Sequence, residues 1–122
     1  MTGVAAGLAA VALAGGCGDS GEADGEASVR RTVDDFYSAL ERRDGKRACA
    51  ALTERARREA ASIDGSGRPC EKALVDMFGG GPRPRITTVE VDGDEATVQL
   101  TGGEGGNATL VKKGDAWYLN AF

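Results

Sequence analysis

The chain has 122 residues, a net charge of −4 and no histidine. Acidic balance and an aromatic content of 5% exclude the basic, aromatic-interleaved surface of a nucleic-acid binder. The missing imidazole removes the commonest acid–base residue and the usual Ser/His and Cys/His nucleophile arrangements.

Residues 1–16 form an apolar stretch that ends in small residues, Leu13-Ala14-Gly15-Gly16, before Cys17. This is the shape of a secretory leader with its cleavage site. Leu13-Ala14-Gly15-Gly16-Cys17 resembles the bacterial lipobox. The resemblance implies cleavage before Cys17, a diacylglyceryl thioether and palmitate-type acylation on that residue, and anchoring to the outer face of the cell membrane. Leu13 stands four residues before the cysteine where the consensus has three, and Met1-Thr2-Gly3 lacks a basic residue. An ordinary cleaved signal and a structural helix are the alternatives. The stretch is short for a membrane span, which needs about 20 apolar residues. Gly3, Gly7, Gly15 and Gly16 each cost a helix up to ~1 kcal/mol relative to Ala.

Residues 17–27 carry Asp19, Glu22, Asp24 and Glu26 but no large apolar side chain, the composition of a disordered acidic tether. The remaining segment, 28–122, is about 95 residues, enough for one small domain. Its first part, Ser28 to Asp76, has eleven basic and nine acidic residues. Arg42-Arg43-Lys46-Arg47 and Arg55-Arg57-Arg58 are expected to be solvated surface. Their nearness in sequence to the anchor makes orientation against anionic lipid a further expectation.

Ser28 is expected to cap a first helix in which Val29, Val33, Phe36 and Leu40 form one apolar stripe. Tyr37 lies at the stripe's edge, Asp34 and Asp35 lie on the solvated side, and Asp44-Gly45 supplies the stop. A short helix over Ala48–Leu52 follows, then one capped by Thr53 and running to Ala61. Pro69 prepares a last helix from Cys70 to about Phe78, with Ala73, Leu74, Met77 and Phe78 on its apolar face. With Cys17 lipidated, Cys49 and Cys70 remain as a pair in an oxidising compartment and are expected to form a disulfide. The competing reading is a reactive thiol or half a metal site, for which no histidine is present. No metal or cofactor is expected.

Gly79-Gly80-Gly81-Pro82 ends the helical half. From there the apolar period falls to two. Thr87, Val89 and Val91 precede the hairpin signal Asp92-Gly93-Asp94, after which Ala96, Val98 and Leu100 alternate with polar residues. The Gly102–Gly106 turn leads to a strand with Ala108 and Leu110, and Gly114-Asp115 to a last strand with Trp117, Leu119 and Ala121. The predicted class is α+β: N-terminal helices packed on a curved antiparallel sheet of about four strands. Phe36, Leu40, Leu74, Phe78, Val98, Leu100, Trp117 and Leu119 are expected to line its core or a pocket.

The opening Val33-x-x-Phe36-Tyr37-x-Ala39-Leu40-x-x-Arg43-Asp44-Gly45, Ala48-Cys49-Ala50-Ala51-Leu52-Thr53, Val89-x-Val91-x-Gly93-Asp94-x-Ala96-x-Val98 and Gly114-Asp115-Ala116-Trp117-Tyr118-Leu119 resemble the nuclear-transport-factor-2-like superfamily. The likeness covers 28–122 and is nearest to small exported actinobacterial lipoproteins of that superfamily, which often carry such a cysteine pair. It implies a cone-shaped domain and a short strand between the helices, for which Ser62-Ile63 is the candidate. Members often dimerise through the sheet, so a homodimer is open. Superfamily isomerases and cyclases set acid–base residues inside the cone. Asp34, Asp35, Tyr37 and Tyr118 are the candidates for such a site. The preferred expectation is a non-catalytic module that binds a small apolar ligand or docks to an envelope protein.

Overall fold

A computed structural model describes residues 25–62, 67–102 and 106–122. The leader (1–16), Cys17 and most of the tether lie outside the described residues, as do Ile63 and positions 103–105 of the glycine-rich turn.

Helix α1 occupies residues 25–41. Val29, Val33, Phe36 and Leu40 form its buried stripe, with Ala39 beside them. Ser28 is not its cap. The helix already includes 25–27, and the Ser28 carbonyl accepts a hydrogen bond from the Thr32 hydroxyl at 3.0 Å. Helix therefore extends into three residues expected to belong to the tether. Glu26 pairs with Arg30 one turn on, at 3.5 Å, which supports helix without any apolar contact.

The stop also differs from the expected one. Arg43 takes the left-handed conformation, with φ 59°. Its N–H donates to the Leu40 carbonyl, and the Asp44 N–H donates to the Ala39 carbonyl at 2.8 Å. These are the paired bonds of a Schellman ending. Asp44 instead caps helix α2 (Gly45–Ala50), its carboxylate accepting from the Arg47 N–H at 3.1 Å. Gly45 serves a close approach: a Cβ there would stand 2.3 Å from the Glu71 carbonyl oxygen in helix α4 (Cys70–Phe78). This contact seats α2 on α4, and the Cys49–Cys70 disulfide joins the same two helices, with Cα atoms 6.2 Å apart.

Helix α2 ends at Ala50, and Leu52 leaves it to form a parallel bridge with Leu119. The Leu119 N–H donates to the Ala51 carbonyl and the Thr53 N–H to the Leu119 carbonyl, both at 2.8 Å. The extended step between helices is thus Leu52, whereas Ser62 is the last residue of helix α3 (Glu54–Ser62). Thr53 caps α3, its hydroxyl oxygen accepting from the Ala56 N–H.

Strands β1 (Arg85–Asp92), β2 (Glu95–Thr101), β3 (Gly106–Lys113) and β4 (Ala116–Ala121) form one antiparallel sheet in chain order. Two of its hairpins use the same Gly-Asp loop, Gly93-Asp94 and Gly114-Asp115, with glycine φ near +63° and +64°. Ala96, Val98, Leu100, Ala108, Leu110, Trp117 and Leu119 face inward and are buried, while Ala121 is exposed. In β1 the alternation breaks. Ile86 pairs with Leu100 and Thr88 with Gln99, leaving Thr87 as a bulge. Ile86 and Val89 therefore share the inner face that Thr87 was expected to occupy. Thr87 and Thr88 instead donate to the backbone and side-chain oxygens of Gln99, at 3.1 and 2.7 Å.

The molecule is α+β, with the helices packed on one face of the four-stranded sheet around a single buried cluster. In a domain this small, a link between two helices through the unfolded chain is a large fraction of total stability. Replacing both Cys49 and Cys70 by Ser is expected to remove about 3 kcal/mol of unfolding free energy. The loss would be read as a lower urea midpoint, and a phosphine reductant would lower the parent's midpoint but not the variant's.

Candidate functional site

The last turns of α1, the end of α4 and the linker 79–84 meet at the β2–β3 end of the sheet and leave an open cleft of about 460 Å³. Phe36, Leu40 and Leu100 form its floor and belong to the buried core. Above them stand Tyr37 and Phe78, half-buried, and Met77 and Phe122, which are 36% and 41% exposed. The rings touch edge to face: Phe36 with Tyr37 at 5.0 Å, Phe36 with Phe122 at 5.2 Å, and Phe78 with Phe122 at 6.1 Å between centroids. Met77 thus departs from its expected place in the core: it stands at the mouth.

One wall is the segment Gly79-Gly80-Gly81-Pro82-Arg83-Pro84. Gly79 closes α4 by donating its N–H to the Val75 carbonyl, and Gly80 has φ 77°. Pro84 is buried, whereas Arg83 reaches across to α1. Its guanidinium donates to the Asp34 carbonyl at 3.1 Å and lies 3.4 Å from the Asp34 carboxylate and 3.3 Å from that of Glu41. At this exposure each contact is worth about 0.2–1 kcal/mol, but together they fix the wall to the helix.

Glu41 and Arg83 are the charged residues in the lining, and they pair with each other. Tyr37 is an uncharged polar side chain of the lining, and its hydroxyl has no hydrogen-bond partner among the described residues; Asn107 borders the cleft from β3, where it alternates with the inward Ala108. Burial pushes the Tyr37 phenol above its ordinary value of about 10, so it is a neutral donor at physiological pH.

Of the residues expected to carry chemistry, the cleft holds Tyr37. Asp34 is exposed and engaged by Arg83, and Asp35 is exposed. Tyr118 alternates with the inward Trp117 and Leu119, so it lies on the outer face of the sheet beside Val111. The structure does not bring these carboxylates and tyrosines together. Phe36, Leu40, Leu74, Val98, Leu100, Trp117 and Leu119 are buried, and Phe78 is partly buried at the cleft. Glu41, Arg83, Asn107 and Phe122 escape sequence reasoning. The Gly-Pro run around Arg83 was a signal, but a helix stop explains it equally well.

On the basic face, Arg55 and Arg58 pair with Glu59 and Glu54, and Arg57 donates to the Cys49 carbonyl at 2.9 Å. The turn from Arg42 to Arg47 lies beyond the far end of α1, about 25 Å along the axis from residue 25. No helix among the described residues is long and apolar enough to cross a membrane. No protein-family model matches the chain, and no curated protein matches it.

The Tyr37 shift carries a sign for stability. A phenol whose pKa is higher in the folded than in the unfolded chain contributes fully below pH about 10 and loses that contribution as pH climbs through the folded value. In a Cys17→Ser background, unfolding free energy is expected to fall from pH about 9 to 11 more steeply than in the same protein carrying Tyr37→Phe. Parallel curves from urea titrations would remove the burial argument for Tyr37.

Proposed function

We propose that this chain is an exported lipoprotein, anchored through Cys17, whose nuclear-transport-factor-2-like domain binds a small apolar ligand. The observation that carries the binding reading is the cleft: a concavity with an aromatic and aliphatic floor that the described side chains leave unfilled. Its volume lies in the range of small-molecule sites, and its lining is more apolar than polar. A docking role for an envelope protein would suit a filled domain end better than a cleft. An acid–base enzyme would require a carboxylate facing Tyr37. Glu41 is the carboxylate in the lining, exposed and held by Arg83.

The export and anchoring part rests on the lipobox-like run ending at Cys17 and on the acidic stretch after it. The superfamily part rests on the motif resemblance, together with the order of helices followed by a four-stranded antiparallel sheet.

The binding reading is tested with N-phenyl-1-naphthylamine, an uncharged dye that fluoresces when shielded from water. The dye should bind the intact chain at one site. Phe122→Ala, at a position 41% exposed, should weaken it roughly five- to tenfold, equivalent to about 1 kcal/mol of ring contact. Equal binding to both proteins would place the dye elsewhere. The anchor is tested by growth with a fatty-acid analogue: the label should enter the parent chain and be lost in Cys17→Ser, and equal labelling would exclude that residue.

A further inference from the structure

Resting on the ligand-binding reading, we infer that the cleft selects an uncharged amphiphile, with a hydrocarbon body and one hydrogen-bond-accepting head group, over its carboxylate or ammonium counterpart. The argument starts from charge. Arg83 is the cation in the lining, and two carboxylates from α1 already face it, Asp34 at 3.4 Å and Glu41 at 3.3 Å. One of its N–H groups also serves the Asp34 carbonyl. A ligand carboxylate would have to compete with Asp34 and Glu41 for a cation they already compensate. Its head group would give up hydration beside the apolar floor and gain no uncompensated charge in return. An ammonium meets the mirror problem, because Glu41 is already held by Arg83.

What remains uncommitted is neutral. The Tyr37 hydroxyl has no hydrogen-bond partner among the described residues. Tyr37 packs edge to face on Phe36, so a hydrocarbon body resting on the floor lies beside a phenol able to donate to an ester, ketone or alcohol oxygen. Apolar floor, compensated rim charge and a free neutral donor together specify the head group.

The test displaces N-phenyl-1-naphthylamine from the full chain with four compounds of equal chain length below their micellar concentrations: methyl dodecanoate, dodecanol, dodecanoate and dodecyltrimethylammonium. The ester and alcohol should displace the dye at concentrations at least about tenfold lower than the two ions. Tyr37→Phe should weaken the ester roughly five- to tenfold more than it weakens the dye, the loss of one hydrogen bond that the ester alone accepts. Greater intrinsic hydrophobicity of the ester is separated from rim compensation by freeing the cation. In the Asp34→Asn/Glu41→Gln double variant, both positions being exposed, the affinity of dodecanoate relative to the ester should rise about tenfold, a ratio that any loosening of the wall leaves unaltered. Tighter binding of dodecanoate than of the ester to the parent chain would overturn the inference, as would a double variant with unaltered selectivity. In either case the cleft would still bind apolar ligands. Absence of dye binding altogether would instead remove the ligand-binding reading on which the inference stands.

Discussion

Among the described residues, the helical half and the sheet are hydrogen-bonded to each other at one place, where the chain between α2 and α3 runs beside β4. Leu52 is fully buried there, and the amides on either side of the bridge exchange bonds with Leu119. Thr53 completes the joint. It is the buried polar residue of the described core, and its hydroxyl works twice, accepting from the Ala56 N–H and donating to Asn120 Oδ1 at 2.8 Å. Asn120 is available because β4 bulges at that point: Leu110 pairs with Leu119 and Thr109 with Ala121, so Asn120 is the unpaired extra residue. One side-chain oxygen thus caps α3 and ties it to the sheet. A buried hydroxyl without these partners would cost about 1–3 kcal/mol, so the cap, the bulge and the bridge stand or fall together.

The position of the cleft follows from that joint. With Leu52 held against β4, α2 and α3 are fixed at one side, and the disulfide with the Gly45–Glu71 approach fixes α4 against α2. Helix α1 fills the space over the sheet with Val29, Val33 and Phe36. The linker from α4 must then pass around the C-terminal half of α1 to reach β1, and a segment of three glycines and two prolines makes that passage. Such a segment offers little side-chain volume with which to fill the end of the domain. The cleft is the space that this crossing leaves, and Arg83 holds its outer wall to the helix.

Much of this was legible in the sequence because one physical rule governs it: the apolar period. The four–three–four spacing of Val29, Val33, Phe36 and Leu40 gave α1 its buried face, and the strict alternation at Ala96, Val98 and Leu100 gave β2 its own. Thr53 as a cap and Cys70–Phe78 as a helix were equally readable. The failures share a different cause. Thr87 and Leu52 changed role because of pairing with distant residues, Gln99 and Leu119, and no local pattern encodes a partner so remote. Arg43 ends α1 in a conformation that its residue type does not advertise, so Asp44-Gly45 looked like the stop. The candidate site was harder still. Phe122, Glu41 and Arg83 are scattered along the chain, and each is an ordinary surface residue until the linker folds over α1.

The core and the cleft draw largely on different parts of the same apolar surface. The side chains that hold the fold, Leu52, Leu74, Val98, Leu110 and Leu119 among them, are fully buried and lie outside the cleft lining. Those at the mouth of the cleft, Met77, Phe78 and Phe122, are half-buried or exposed, and the Phe78 and Phe122 rings pack edge to face on each other. Phe36 is the joint between the two sets, buried to within 1% yet touching both Tyr37 and Phe122. A domain of this size has only about 5–10 kcal/mol of net stability, so a site carved from its centre would remove a large share of it. Placing the concavity at the end of the sheet avoids that loss. The same placement leaves its rim in contact with water, where a lone arginine would favour anions. Asp34 and Glu41 offset that cation from outside the floor, so the charges at the cleft are compensated without any of them being buried.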